Sequence, residues 1–290
     1  MYKKLPLSLI FLSCGIIGIA GNNFSISEYE KTIRFDTTNV DSVWFLKGFF
    51  QDEKKIITSP FRITGNRFCF WVPVLGATMF SMANDERIYS DFKKFQGKHK
   101  WVSDLSPVIT LGGSSMVVTS IGGLFYIGGQ LFRNEKARQT GLLGFEALGH
   151  AAVIVTVGKL ITGRQLPRYA HGKDYWHWFP ASFRQFGSDP QSKYGAFPSG
   201  HTIFAWSLAT VIAKQYKNCV IIPVLAYTAA TGVGLSRVTE NAHWLSDVIV
   251  GAALGYTIGS FVVKERKNTK WMLFPSSSGK NVMLTSVYKL

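Results

Sequence analysis

Residues 231–250 read TGVGLSRVTENAHWLSDVIV, an apolar and glycine-rich stretch that holds four polar or charged side chains close together. These are Ser236, Arg237, His243 and Asp247. A helix in an apolar core does not need them, and a solvated loop would not be flanked by so much Val, Leu, Ile and Gly. The stretch therefore predicts either a buried polar cluster whose members satisfy one another or an anion-binding site between apolar helices.

Apolar runs around this stretch predict an all-α fold, a helical bundle of about five to six core helices that is embedded in a membrane. Residues 106–132 contain no charged residue and are long enough to cross a bilayer. Their paired glycines are small residues of the kind that lets membrane helices approach closely. The remaining candidate helices cover residues 140–161, 201–213, 219–235 and 244–263.

The composition fits a membrane protein with sizeable polar parts, and a compact soluble helical protein is the alternative. The chain is 47% hydrophobic, with a mean hydropathy of +0.12. Its formal charge of +15 favours anionic partners such as lipid headgroups or phosphorylated substrates. Nucleic acid is disfavoured as a partner because the basic residues lie between apolar runs rather than on one polar helix or arm. The three cysteines support no disulfide framework.

The first residues have the pattern of a secretory signal. A start with two lysines is followed by an apolar run and by a small-x-small sequence at residues 18–20. We therefore expect residues 1–20 to be a signal peptide, with an uncleaved anchor helix as the alternative. The predicted division continues with an N-terminal region at 21–105 that holds a short apolar segment (68–82), the helical bundle at 106–263, and a basic tail at 264–290.

Basic turns predict the orientation of the bundle. Residues 133–138, 214–217 and 264–270 are short and basic, and an alternating bundle places them on one side. The positive-inside rule assigns that side to the cytoplasm. The protein is then expected in a bacterial inner membrane with the polar residues at the opposite, periplasmic end. A soluble or peripheral periplasmic protein is the alternative.

The pair His243 and Asp247 predicts a nucleophilic imidazole. The two residues are four apart and so share one face of a helix. A carboxylate there can accept the imidazole N–H, fix the tautomer and leave the other ring nitrogen free to attack phosphorus.

Two further segments supply what a phosphate group needs. Ser199 and Gly200 open a helix whose first-turn N–H groups can point at an anion. Lys159 and Arg237 add positive charge, and a guanidinium can hold two phosphate oxygens at once. His201 is then available to protonate a departing alkoxide as a general acid. Together these residues predict a phosphate pocket at one end of the bundle.

These residues resemble the three-part signature KX6RP, PSGH and SRX5HX3D of the type-2 phosphatidic acid phosphatase superfamily, which includes the vanadium haloperoxidases and bacterial class A acid phosphatases. Residues 198–201 match the second part and residues 236–247 the third. The first part departs from the signature, because Leu166 occupies the arginine position after Lys159. Arg164 and Arg168 flank that position, and either is a candidate to reach the phosphate in its place.

The resemblance implies a mechanism and a site. His243 is then the phosphohistidine nucleophile, Asp247 its orienting partner and His201 the acid for the leaving group. It implies no metal and no cofactor, with vanadate binding as a phosphate mimic. It also implies a substrate, a lipid or polyprenyl phosphate or diphosphate, which the enzyme meets in the membrane.

Three alternatives remain open at this point. The first is a periplasmic non-specific acid phosphatase that acts on small phosphate esters. The second is a non-catalytic membrane protein with a degraded site, supported only by Leu166. The third is a vanadium haloperoxidase.

Overall fold

The computed structural model describes residues 52–56, 58, 65–170, 175–179, 193–268, 271–278 and 281–288. The predicted signal peptide at 1–20 lies outside these residues. The chain divides into two compact units, one of residues 42–269 and one of residues 1–41 with 270–290. The sequence predicts that the helical bundle begins at residue 106. That boundary stays a prediction, and the position lies inside the continuous helix Lys100–Leu111.

The larger unit is all-helical in its described residues, as the sequence predicts. Its helices are α1 (Gly65–Ala83), α2 (Asp85–Lys98), α3 (Lys100–Leu111), α4 (Ser115–Leu131), α5 (Glu135–Thr162), α6 (Gly200–Gln215), α7 (Ile221–Thr239) and α8 (Leu245–Asn268). A short 3₁₀ turn, Pro167–Tyr169, follows α5. In the smaller unit, β1 (Trp271–Ser278) and β2 (Asn281–Tyr288) pair antiparallel, with Trp271 opposite Tyr288. This hairpin was not predicted.

Helix α6 lies at the centre of the larger unit and packs against α5, α7 and α8. Its contact with α8 depends on glycines one turn apart. A Cβ at Gly255 would lie 2.7 Å from the Ile203 carbonyl oxygen, and one at Gly259 would lie 2.6 Å from that of Ser207. Small residues at this spacing let the two backbones touch, which sets the position of one helix against the other.

The apolar core lies around the same helix pair. Ile203 and Val211 of α6 and Ile258 and Val262 of α8 are fully buried. Residues of α5 such as Ala147 and Ala151 complete this cluster. The ends of α5, α6 and α8 that carry the candidate residues are therefore fixed by close packing along the helices.

The chain is a membrane protein with several apolar helices. Residues 135–169, 221–239 and 245–265 form helical segments long and apolar enough to cross a bilayer. The region 106–132, expected as one span, is broken at residues 112–114 into α3 and α4, which meet at 54°. A new helix begins after Ser114, because the Ser114 hydroxyl accepts the N–H of Val117 and caps the N-terminus of α4.

Candidate active site

The predicted site residues stand at the ends of four helices. Lys159 lies in the last turn of α5, and Arg237 lies in the last turn of α7. His201 lies in the first turn of α6 and Asp247 in the first turn of α8. His243 lies in the turn between α7 and α8, where its N–H and that of Ala242 bond the Arg237 carbonyl oxygen.

The start of α6 is joined directly to the start of α8. The Ser199 N–H donates to the Asp247 carbonyl oxygen at 3.3 Å. The Ser199 side chain is fully buried, and its oxygen lies 2.8 Å from the Thr202 hydroxyl rather than capping a first-turn amide. The first-turn N–H groups, which lack a carbonyl partner one turn back, are therefore available to an anion next to Gly200.

A backbone carbonyl holds the imidazole of His243. Its Nδ1 lies 2.7 Å from the Ala196 carbonyl oxygen. Because a carbonyl oxygen only accepts, Nδ1 carries the proton, and Nε2 of the neutral ring keeps its lone pair. Asp247 Oδ2 lies 3.7 Å from Nδ1, an ion-pair distance rather than a hydrogen bond. The expected carboxylate–imidazole bond is thus replaced by a bond to the main chain, with Asp247 acting through its charge.

The Ala196 carbonyl is itself positioned by backbone pairing. The Ala196 N–H donates to the Arg164 carbonyl oxygen at 2.9 Å, and the Leu166 N–H donates to that of Lys193 at 2.8 Å. The Trp244 indole N–H also donates to the Gln165 carbonyl oxygen at 2.9 Å. The segment after α5 therefore fixes both neighbours of the imidazole.

Asp247 is fully buried and satisfied on both oxygens. Its Oδ2 accepts the Trp244 N–H at 2.9 Å, and its Oδ1 accepts from Nη1 of Arg164. The same Nη1 donates to the Ser246 hydroxyl at 2.8 Å. Because each carboxylate oxygen has its own donor, the orientation of the Asp247 carboxylate is fixed, whereas a single hydrogen bond would let it rotate.

Arg164, a candidate phosphate ligand from the sequence, is directed to carboxylates in the structure. It is fully buried, and its Nη2 donates to Oδ2 of Asp85 at the start of α2. Trp176 covers the guanidinium at 4.5 Å from its ring centre, and Trp244 at 5.4 Å. The described hydrogen bonds of its guanidinium run to α2 and α8, and a contact of Arg164 with phosphate stays a prediction.

Arg237 and Lys159 supply the positive charge. Arg237 Nη1 donates to Oε2 of Glu240 at 2.6 Å, while its buried Nε has no partner among the described residues. Lys159 is half-buried, and its charge acts on Arg237, His201 and His243. Both cations therefore lie close enough to act on one anion.

The two histidines are neutral without a bound anion. Burial, together with the nearby charges of Arg237, His243 and Lys159, lowers the pKa of His201 to about 4. Burial also lowers the pKa of His243, and Asp247 opposes that effect. A neutral His243 is ready to attack, and an anion beside His201 would raise its pKa toward that of a proton donor.

Residues 141–271 match the family model described as the PAP2 superfamily. This part of the chain therefore resembles the PAP2 superfamily. We call it the PAP2 region; it contains every motif residue named above, and the family resemblance is confirmed for it.

Individual relatives resemble shorter stretches. Lipid A 1-phosphatase of Porphyromonas gingivalis is 42% identical over 65 residues, which are 22% of this chain and 15% of that protein. A probable diacylglycerol pyrophosphate phosphatase of Schizosaccharomyces pombe is 32% identical over 87 residues, 26% of this chain and 31% of that protein. The chain thus spans less than a third of either relative.

A solved structure is similar over a larger part of the chain. The transmembrane PAP2-type phosphatidylglycerolphosphate phosphatase of Bacillus subtilis aligns with 79% of this chain and 96% of its own, at 20% identity and a TM-score of 0.48.

Leu166, at the motif arginine position of the PAP2 region, is a core residue. It is 7% exposed and packs with Ala196, Ala242 and Trp244. Arg168, two residues on, is exposed, and its charge acts on Arg237. Arg168 is therefore the flanking arginine that lies toward Arg237.

Sequence reasoning missed three contributors to the site. Glu240 follows Arg237 by one helical turn, a spacing that indicates an ion pair. The sequence held no such signal for the other two. Every residue has a backbone carbonyl, so residue type does not single out Ala196, and Asp85 lies 79 residues from Arg164. Within the described part of the chain, no group of three or more His, Cys, Asp and Glu side chains could hold a metal ion.

Proposed function

We propose that this protein hydrolyses a lipid phosphate ester or diphosphate through a phosphohistidine at His243. The observation that carries the proposal is the 2.7 Å contact between Nδ1 and the Ala196 carbonyl, which leaves Nε2 unprotonated. The charges of Arg237 and Lys159 act on the same imidazole. A neutral nucleophile among fixed cations suits attack on an anionic phosphate.

The reaction proceeds in two displacements. Nε2 of His243 forms a bond to phosphorus as the bond to the leaving oxygen breaks, and His201 gives that oxygen its proton. Water then attacks phosphorus, His201 takes a proton from it, and the phosphorus–nitrogen bond breaks to release phosphate. Lys159, Arg237 and the first-turn amides of α6, beginning at Gly200, hold the non-bridging oxygens, with Arg168 as a further cation at the rim.

A lipid substrate is supported by the surroundings of the site. Helices α5, α7 and α8 are long and apolar enough to span a bilayer, and large apolar side chains such as Leu225 and Leu235 on α7 are exposed. A substrate with its chains in the membrane can thus reach the end of the bundle. The two named relatives act on lipid A phosphate and on diacylglycerol pyrophosphate. The basic turns at 133–138 and 214–217 support a periplasmic position for the site.

A phosphate-release assay tests the proposal. Purified protein in detergent is incubated with phosphatidate, diacylglycerol pyrophosphate, a lipid A phosphate and a small aryl phosphate. We expect release from a lipid phosphate, inhibition by vanadate and loss of release in His243→Ala. His99→Ala, at the junction of α2 and α3, is the control and retains activity. Release from the aryl phosphate alone favours the acid phosphatase alternative, and no release from any ester contradicts the proposal.

A further inference from the structure

Asp85 is a buried carboxylate outside the PAP2 region that is connected to His243 through Arg164 and Asp247. It is 2% exposed and is the first residue of α2. Its Oδ2 accepts from Nη2 of Arg164, and both of its oxygens lie 3.1 Å from the Ser246 hydroxyl, 161 residues away. No motif spacing connects Asp85 to the site, so its role follows only from the folded chain.

Arg164 stands between two carboxylates. Its Nη1 contacts Asp247 and its Nη2 contacts Asp85, while the aromatic rings around it exclude water. With Asp247 alone the buried pair would be neutral. Burial raises the pKa of Asp85, while the Arg164 charge and the hydrogen bonds from Arg164 and Ser246 oppose that effect. When Asp85 is ionised, one cation faces two anions, and the group carries a net negative charge.

We propose that Asp85 is a positioning residue for the proposed hydrolysis, holding Arg164 in place and restoring the negative charge that Asp247 presents to His243. The imidazole becomes cationic when Nε2 bonds phosphorus, and a negative group 3.7 Å from Nδ1 stabilises that cation. The inference rests on the proposed function. Asp85 acts through Arg164 and Asp247 and does not touch the substrate.

Asp85→Asn separates this role from a purely structural one. Asn keeps the shape and an acceptor for Arg164 but removes the charge. We expect kcat on the lipid phosphate to fall at least about tenfold with KM little changed, because the lost interaction forms in the transition state. The acid limb of kcat/KM should move to lower pH, since a less negative neighbour disfavours the imidazolium. The other groups that act on this imidazole, Lys159, His201, Arg237 and Asp247, are retained.

Matched variants control for charge and folding. Asp85→Glu keeps the charge and should recover part of kcat, and Glu86→Gln removes an exposed carboxylate one residue on and should resemble wild type. If Asp85→Asn does not fold, the double variant Asp85→Asn with Arg164→Gln removes the buried cation as well. It leaves one negative charge at Asp247, so its acid limb should return toward the wild-type position.

The outcomes are distinct. Wild-type kcat and an unmoved acid limb in folded Asp85→Asn overturn the role of Asp85 while the hydrolysis stands. If Asp85→Asn does not fold, the double variant Asp85→Asn with Arg164→Gln decides. An acid limb of kcat/KM displaced from the wild-type position in that double variant overturns the role of Asp85. Wild-type protein that releases no phosphate from the panel contradicts the proposed function itself.

Discussion

His243 Nδ1 lies 2.7 Å from the carbonyl oxygen of Ala196 and 3.7 Å from Oδ2 of Asp247. The main chain therefore sets the tautomer of the imidazole, and the carboxylate contributes charge at a longer distance. These two separate roles lead to predictions that differ from those for a carboxylate that accepts the imidazole N–H itself.

Asp247→Asn should weaken catalysis without abolishing it. The Ala196 carbonyl still fixes the tautomer, so the variant loses the stabilisation of the cationic imidazole and the ion pair with Arg164, and kcat should fall about 10²- to 10³-fold. Steady-state kinetics on the best lipid phosphate measures this loss, with His243→Ala as the reference for complete inactivation. A loss as large as that of His243→Ala would mean that Asp247 fixes the tautomer after all.

Leu166→Arg should not improve the enzyme, although it restores the family signature. Leu166 packs among Ala196, Ala242 and Trp244, where an arginine would be buried without a counter-charge. We expect a lower thermal midpoint and lower activity, whereas Leu166→Met keeps volume and polarity and should be tolerated. Higher kcat/KM in folded Leu166→Arg would show that this position faces the phosphate.

Arg168→Ala should raise KM more than it lowers kcat. Arg168 is exposed and acts on Arg237 through its charge, so it contributes to binding of the anionic headgroup at the rim. Arg87→Ala, an exposed arginine on α2, is the matched control. An unchanged KM in Arg168→Ala would remove Arg168 from the site.

Phosphate binding should be linked to proton uptake at His201. The pKa of this residue is about 4 in the free protein, and a bound anion raises it. Because the pKa of His201 is higher in the complex than in the free protein, phosphate binds more tightly at low pH. This gain in affinity is lost as the pH rises through the pKa of His201 in the complex. Inhibition by inorganic phosphate should therefore weaken from about pH 5 to about pH 8. His201→Gln should show a flatter dependence, and identical profiles would contradict the linkage.

The contact between α6 and α8 should be sensitive to a single methyl group. A Cβ at Gly255 would lie 2.7 Å from a backbone oxygen that cannot move independently. Gly255→Ala should thus cost about 1–3 kcal/mol of stability. Gly76→Ala is the control, because a Cβ there meets nothing within 4 Å. Thermal unfolding in detergent compares the two, and equal midpoints would argue against close packing of α6 and α8.

The helices and the residues that converge at their ends were predictable, because apolar runs and motif spacing are local properties of the chain. The contacts that orient those residues were not. Arg164 could be placed near the phosphate or away from it until its partners on α2 and α8 were known. The break between α3 and α4 was likewise hidden, since residues 106–132 are uniformly uncharged and only the cap at Ser114 marks it.

The covalent intermediate tests the central claim most directly. Protein mixed with a lipid substrate radiolabelled in its phosphate is quenched at short times, and the label on the chain is located by peptide mapping. The account predicts a label that is stable in alkali, labile in acid and attached to His243, and that is absent from His243→Ala. A label on another residue, or full phosphate release by His243→Ala, would contradict it.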